Sequence, residues 1–240
     1  MSPSRECLLG MRDTIPMLIG AVPFGIVYGT LAVSSGLSVT ATLAMSLLVF
    51  AGSAQFVAAS LVASGTGLTV ILLTTLIVNL RHMLYSASLL PFVRHLPQRW
   101  RITLAFWLTD ESFAVVHRHY LLNDAPLTHK HWYFLGSCLA MYSLWFICTV
   151  IGVVLGQALP ALGDWGLDFA MVATFIGIVV PLLRNQPMIV AALVASAVAV
   201  VAHGLPYKLG LMLAALLGVT AGVVAERLSS KANSGLPETP

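Results

Sequence analysis

The chain has 240 residues, of which twelve are Lys or Arg and nine are Asp or Glu, a net charge of +3. Charged residues make up 9% and apolar ones 58%, with a mean hydropathy of +0.92, whereas a soluble domain carries roughly 25% charged residues. A water-soluble globule is excluded, because so few charges cannot cover its surface, and nucleic-acid binding as a main role is excluded because no basic patch forms. What remains is an all-α polytopic membrane protein. At ~20 residues and a turn per span, the length allows at most about nine or ten crossings.

In chain order, the first fourteen residues, MSPSRECLLGMRDT, are mixed in charge and show no cleavage site, so no removable signal peptide is expected. The first apolar run is Ile15 to Ser34, with Pro16 at a helix start and Pro23 inside it. After Gly36 to Ser38 comes a second run, Val39 to Ala63, interrupted at its centre by Ala51-Gly52-Ser53-Ala54-Gln55. Ser64-Gly65-Thr66-Gly67 turns the chain into a third run, Leu68 to Val93, which is polar at Asn79, Arg81 and His82. Residues 94–101, RHLPQRWR, are the most basic stretch. The fourth run, Ile102 to Tyr120, holds Asp110 and Glu111 near its midpoint, and a polar, His-rich loop from Leu121 to His131 follows.

Trp132 to Leu159 is the fifth run, and Pro160 to Gly166 a turn. Leu167 to Leu183, Met188 to Ala202 and Tyr207 to Ala225 are the sixth to eighth. The sequence therefore predicts seven to eight hydrophobic helical segments in one transmembrane domain, residues 1–225, with a polar, disordered tail over 226–240.

Orientation creates a conflict. Arg94, Arg99 and Arg101 belong on the cytoplasmic side. If the first three runs each cross once, the N-terminus with Arg5 and Arg12 must lie outside. A re-entrant second run with AGSAQ at its tip removes the conflict, since non-helical backbone at membrane depth is tolerated where protein covers it or a cavity lines it. A continuous second helix is the alternative. The stretch from Gly29 through Gly52 to Ala59 also resembles that from Gly152 through Val180 to Ala191, as an internal repeat would.

All but three of the charges fall in tails, loops or segment edges. The exceptions are Arg81, Asp110 and Glu111, and a charge at bilayer depth costs ~2.5–3.5 kcal/mol on insertion scales. Arg81 lies mid-run on the third segment and the two acids mid-run on the fourth, so Arg81 pairs with Asp110 or Glu111. Such a pair either fixes helix packing or belongs to a substrate or proton-coupling site. Gly52, Ser53 and Gln55 form the second polar cluster. They are either a half-helix start whose free N–H groups hold a carboxylate or a small-residue helix contact.

Cys7, Cys138 and Cys148 read as packed thiols, with no CxxC among them. The pairs His117/His119 and His129/His131 sit at a membrane boundary and read as titrating interface histidines rather than a metal site. No cofactor is expected. No HExxH, GxSxG or P-loop pattern occurs, so the chain does not read as an enzyme.

Three local patterns, AGSAQF at 51–56, NLRHMLYSASL at 79–89 and LTDESFAV at 108–115, together resemble the AzlC family of branched-chain amino acid permeases in order, spacing and chain length. The resemblance implies export of valine, leucine, isoleucine and methionine across a bacterial inner membrane, with a small AzlD-type membrane subunit as partner. The residues themselves suggest how. Gly52, Ser53, Gln55, Asn79, Arg81 and Tyr85 are the candidate substrate-binding set. His82, Asp110 and Glu111 are the candidates for proton coupling or for holding the ammonium, and Phe24, Phe56 and Phe106 for apolar walls. With no nucleotide motif, proton antiport is the expected energy source. A channel, a carrier for another small zwitterion or organic solute, and a structural subunit of a membrane complex are the other readings.

Overall fold

The computed structural model describes residues 2–122, 129–158, 176, 180, 183, 185–205 and 209–233. Every regular element among them is helical, as an apolar chain requires where no water can satisfy backbone N–H and C=O groups. In order these are α1 (Pro3–Ser34), α2 (Val39–Leu48), α3 (Gly52–Ala63), α4 (Leu68–Asn79), α5 (Arg81–Val93), α6 (Gln98–Phe106), α7 (Asp110–Leu122), α8 (Lys130–Ala158), α9 (Gln186–Val201) and α10 (Leu209–Asn233). Pro3–Ser34, Leu68–Val93 and Lys130–Ala158 are long and apolar enough to cross a membrane. The expected turn at 160–166 and most of the sixth run lie outside the described residues, as does much of the second arm of the expected repeat. The chain forms two units, Met1–Asp168 and Phe169–Pro240.

In the first unit α1 and α8 run parallel and nearly touch. A Cβ on Gly29 would collide with the Thr149 carbonyl, and one on Gly152 with the Ile26 carbonyl. One helical stretch earlier, Gly10 faces the Tyr133 carbonyl and Gly136 the Cys7 carbonyl in the same reciprocal way. Glycines let the two backbones approach, and hydroxyls then tie them: Thr14 donates to Ser137 Oγ at 2.7 Å and Thr30 to the Gly152 carbonyl at 2.9 Å. Neither Pro16 nor Pro23 ends α1, which begins at Pro3 rather than near Pro16. Pro3 occupies the first turn, where its missing N–H has no helical partner to lose.

Parallel α1 and α8 fix the path between them. Leu68–Val93 counts as one span because Leu80, the residue between α4 and α5, keeps helical angles (φ −55°, ψ −24°). At its end Phe92 packs on Tyr120, whose hydroxyl donates to the Lys130 carbonyl at 2.7 Å. This span therefore finishes on the face where α8 begins, about 39 Å from its own start. Only one crossing separates α1 from α8, so neither the second run nor the fourth crosses.

Both are broken hairpins, one from each face. The second run descends as α2, where the Tyr28 hydroxyl donates to the Thr42 carbonyl and the Tyr142 hydroxyl to the Leu47 carbonyl. Its tip is Phe50, at φ 41°, whose N–H turns back to the Met45 carbonyl. It returns as α3, with Gly52 against the Trp145 ring and Phe56 against Tyr28. The re-entrant expectation is the path the chain takes.

The fourth run departs from its expected form. It is not a single helix carrying acids at its middle. α6 starts beside α8, with Trp100 5.0 Å from Trp132, and climbs until Trp107 reaches Tyr142. It breaks at Trp107 to Thr109 and returns as α7 to Tyr120. From residue 132 to residue 142 along α8 is about 15 Å, half a bilayer. Within residues 2–158, Arg5, Arg12, Arg94, Arg99, Arg101, Arg118 and Lys130 then share the face where α1 begins, while the opposite turns, 35–38 and 64–67, carry no charge. The positive-inside rule puts the basic face in the cytoplasm.

In the second unit α9 and α10 pack antiparallel through small residues, Gly218 against Ala195 and Gly222 against Ala191. α10 continues through Asn233, so the first residues of the expected tail are helical. Residues 234–240 lie outside the described residues.

Candidate functional site

The two hairpin tips meet on one side chain at mid-depth. Tyr142 of α8 receives Phe50 at 4.8 Å, edge to face, and Trp107 at 5.8 Å. Around this point the polar residues fall into two clusters of different character.

The first sits between α2, α3 and α8. Gln55 is fully buried, donates to Ser46 Oγ at 3.0 Å and accepts from Trp145 Nε1 at 3.0 Å. Ser46 and Thr149 share a hydrogen bond of 2.8 Å, and Thr149 donates to the Trp145 carbonyl at 2.9 Å. A buried amide satisfied on both its oxygen and its nitrogen is a structural tie. Gly52 has its own reason: a Cβ would lie 2.8 Å from the Trp145 ring. Ser53, in the first turn of α3 beside backbone N–H groups that have no helical partner, has a buried Oγ without a hydrogen-bond partner.

The second cluster joins the middle of Leu68–Val93 to the start of α7. Thr109 caps α7 reciprocally: its hydroxyl faces the Ser112 N–H at 3.4 Å, and its own N–H donates to Ser112 Oγ at 2.8 Å. This puts Asp110 and Glu111 in the first helical turn, where the helix dipole favours carboxylates. Asp110 Oδ2 then meets Arg81 Nη1 at 3.0 Å, with the two side chains 42% and 28% exposed. The pair rests on that one contact, because Asp110 Oδ1 and Arg81 Nε are both buried without a partner, as is Asn79 Oδ1. His82 Nδ1 approaches the Asn79 carbonyl at 3.1 Å, and Tyr85 stacks on Phe113 at 4.5 Å while its ring edge meets His82.

The structure thus brings Asn79, Arg81, His82, Tyr85 and Asp110 together, with Glu111 next in the same helical turn. Gln55 belongs to the other cluster. Phe56 packs against Phe24 at 6.4 Å and is buried, whereas Phe106 is 47% exposed and beside Trp107. Sequence reasoning missed Ser46, Tyr142, Trp145 and Thr149. The available signal was spacing: 142, 145 and 149 share one face of α8, and Trp145 and Thr149 sit four apart. Among the described residues no group of three His, Cys, Asp or Glu side chains is placed to hold a metal.

Chemically, the second cluster offers a cation and two carboxylates beside unpaired polar atoms, at the depth where α3 presents N–H groups. That combination suits a small molecule bearing both charges.

The AzlC protein family matches residues 16–159, which take in both hairpins and the spans around them. The chain is similar to the inner membrane protein YgaZ of Escherichia coli, 30% identical over 196 residues and covering 79% of either chain. It is similar to the branched-chain amino acid transport protein AzlC of Bacillus subtilis, 34% identical over 163 residues, or 68% of this chain and 62% of that one. An uncharacterized membrane protein of Archaeoglobus fulgidus is 32% identical over 221 residues, 91% of this chain and 94% of its own. No solved structure matches.

Proposed function

The chain belongs to the AzlC family of membrane proteins, and on that premise we propose that it is a secondary transporter exporting branched-chain amino acids, and methionine with them, by proton antiport. The observation that carries the proposal is the Arg81–Asp110 pair at the meeting point of two opposed hairpins, held by one contact of 3.0 Å with a buried atom of each partner left over. An ion pair built only for packing uses its donors and acceptors, because an unpaired buried polar group costs ~1–3 kcal/mol. A zwitterion supplies what this pair lacks.

In this reading the substrate carboxylate lies at the start of α3, on the Gly52 and Ser53 N–H groups and the Ser53 hydroxyl, with Arg81 as its counter-charge. Asp110 or Glu111 takes the ammonium. Asn79 and Tyr85 border the site, and His82, Asp110 and Glu111 are the groups available to exchange a proton. Gln55 does not touch substrate; it anchors α3 so that Ser53 is presented. A small AzlD-type subunit completes the complex against lipid-facing apolar surface such as Leu72, Leu76 and Leu80, each at least 48% exposed.

The test is valine counterflow in proteoliposomes, followed by net transport under an imposed pH gradient. Asp110→Asn and Glu111→Gln should lose coupled transport. If both exchange and pump like the unmodified protein, the carboxylate assignment is wrong. If exchange is intact and the gradient has no effect, antiport is wrong.

A further inference from the structure

A cavity of about 290 Å³ lies between α5 and α6, running from Gln98 and Arg101 to Leu108 at the hairpin tip, with neither Arg81 nor Asp110 in its lining. Its walls are aliphatic and aromatic, among them Leu89, Leu104, Leu108 and Phe134, all nearly fully buried. Its polar lining includes Arg101 and Gln98. One guanidinium nitrogen of Arg101 donates to the exposed Gln98 Oε1, and Arg101 is the one cationic side chain among the described lining residues. No carboxylate is among the lining residues described. Arg94 and Arg99 add positive charge on the same face.

From these features we propose that the cavity is a binding site for a short aliphatic monocarboxylate arriving from the cytoplasm. The guanidinium takes the carboxylate, for which its planar donors are suited, and the apolar walls take the chain. Two aspects of the site define the ligand class. With a cation and no anion, the cavity leaves an ammonium unpaired, and burying an unpaired charge is costly. It therefore selects a simple carboxylate over the amino acid of the same skeleton. Its volume is at the small end of ligand pockets, ~300–1,000 Å³, which suits a short chain. The proposal holds whatever the central site carries. Because α6 is one limb of the cytoplasmic hairpin, a ligand seated here bridges that limb to the crossing helix.

Equilibrium binding of radiolabelled isocaproate to the full chain in nanodiscs tests it, with leucine and palmitate as competitors. Saturable isocaproate binding is expected, displaced poorly by leucine and by palmitate. Arg101→Gln should weaken it about tenfold, Arg101→Lys should restore part of the loss, and Ala105→Trp, which fills the cavity without touching the charge, should abolish it. Competition by leucine as strong as by isocaproate overturns the selectivity. Palmitate binding without isocaproate binding makes the occupant a lipid chain and overturns the proposal. Since these competitions use the unmodified protein, the outcome does not depend on any variant folding.

Discussion

The two hairpins enter from opposite faces and reach the same tyrosine, yet they are built differently. The outer one, α2 and α3, contains no charged residue. It is fastened to α8 by the Gln55, Ser46, Trp145 and Thr149 bonds and closes with a non-glycine residue in the left-handed region, Phe50. Left-handed backbone costs roughly 1–2 kcal/mol for an L-residue, and burial of the Phe50 ring against Tyr142 offsets it. The inner hairpin, α6 and α7, carries Arg99, Arg101, Asp110, Glu111 and Arg118, caps its own returning helix, and meets the crossing helix through one ion pair and the Tyr85–Phe113 and Phe92–Tyr120 ring contacts. Two tips at one depth are thus held differently: the neutral arm by buried hydrogen bonds to α8, the charged arm by ring stacking and an ion pair.

The largest effect comes from breaking the topology itself, because it is all or none. In a background with the native cysteines replaced, Leu37→Cys and Thr66→Cys should react with an impermeant maleimide from the periplasm, and His95→Cys and Leu121→Cys only from the cytoplasm. If Leu121→Cys and His95→Cys react from opposite sides, the inner arm spans and the comparison fails. Next in size is the ion pair. Asp110→Asn should lower valine counterflow about tenfold or more, since truncating one partner of a partly buried pair leaves the other charge unmatched. Arg81→Ala should do the same with the complex still assembled; loss of assembly instead would make the pair structural. In the outer arm the expected loss is of stability. Gln55→Leu leaves Trp145 Nε1 and Ser46 without their partner and should cost about 1–3 kcal/mol, read as a lower midpoint of thermal unfolding in detergent. An unchanged midpoint with lost transport would move Gln55 into the binding site.

How far each arm was legible in the sequence follows from the same contrast. Gly52 and Ser53 interrupt an apolar run visibly, and a path that returns removes the conflict between Arg5 and Arg94, so the outer hairpin was legible as one of two readings beside a continuous helix. The inner break was not. Phe106-Trp107-Leu108 contains no glycine or proline, and Asp110 and Glu111 looked like charges at mid-span. The sign present was Thr109 followed three residues later by Ser112, a capping pair that starts a helix, in front of acids that suit a first turn. Arg81 with Asp110 was legible because two isolated charges at bilayer depth have few other partners. The Trp145 and Tyr142 anchors were hidden because aromatic residues in an apolar helix look the same whether or not their polar edge is used.

The smallest effect separates the two returning helices at their first turns. Ser112 is part of the cap of α7, its Oγ accepting from the Thr109 N–H at 2.8 Å, so Ser112→Ala should cost about 0.5–2 kcal/mol. Ser53 occupies the matching turn of α3, but Ala51 precedes that helix with no side-chain cap and the Ser53 hydroxyl bonds to nothing. Ser53→Ala should therefore leave the unfolding midpoint where it is, or raise it slightly, since an unpaired buried hydroxyl is removed. Its cost should fall on transport, as a higher KM for valine. Equal destabilisation by the two substitutions would mean that Ser53 has a structural partner, and the contrast between the two first-turn hydroxyls, one spent on a cap and one left unpaired, would not hold.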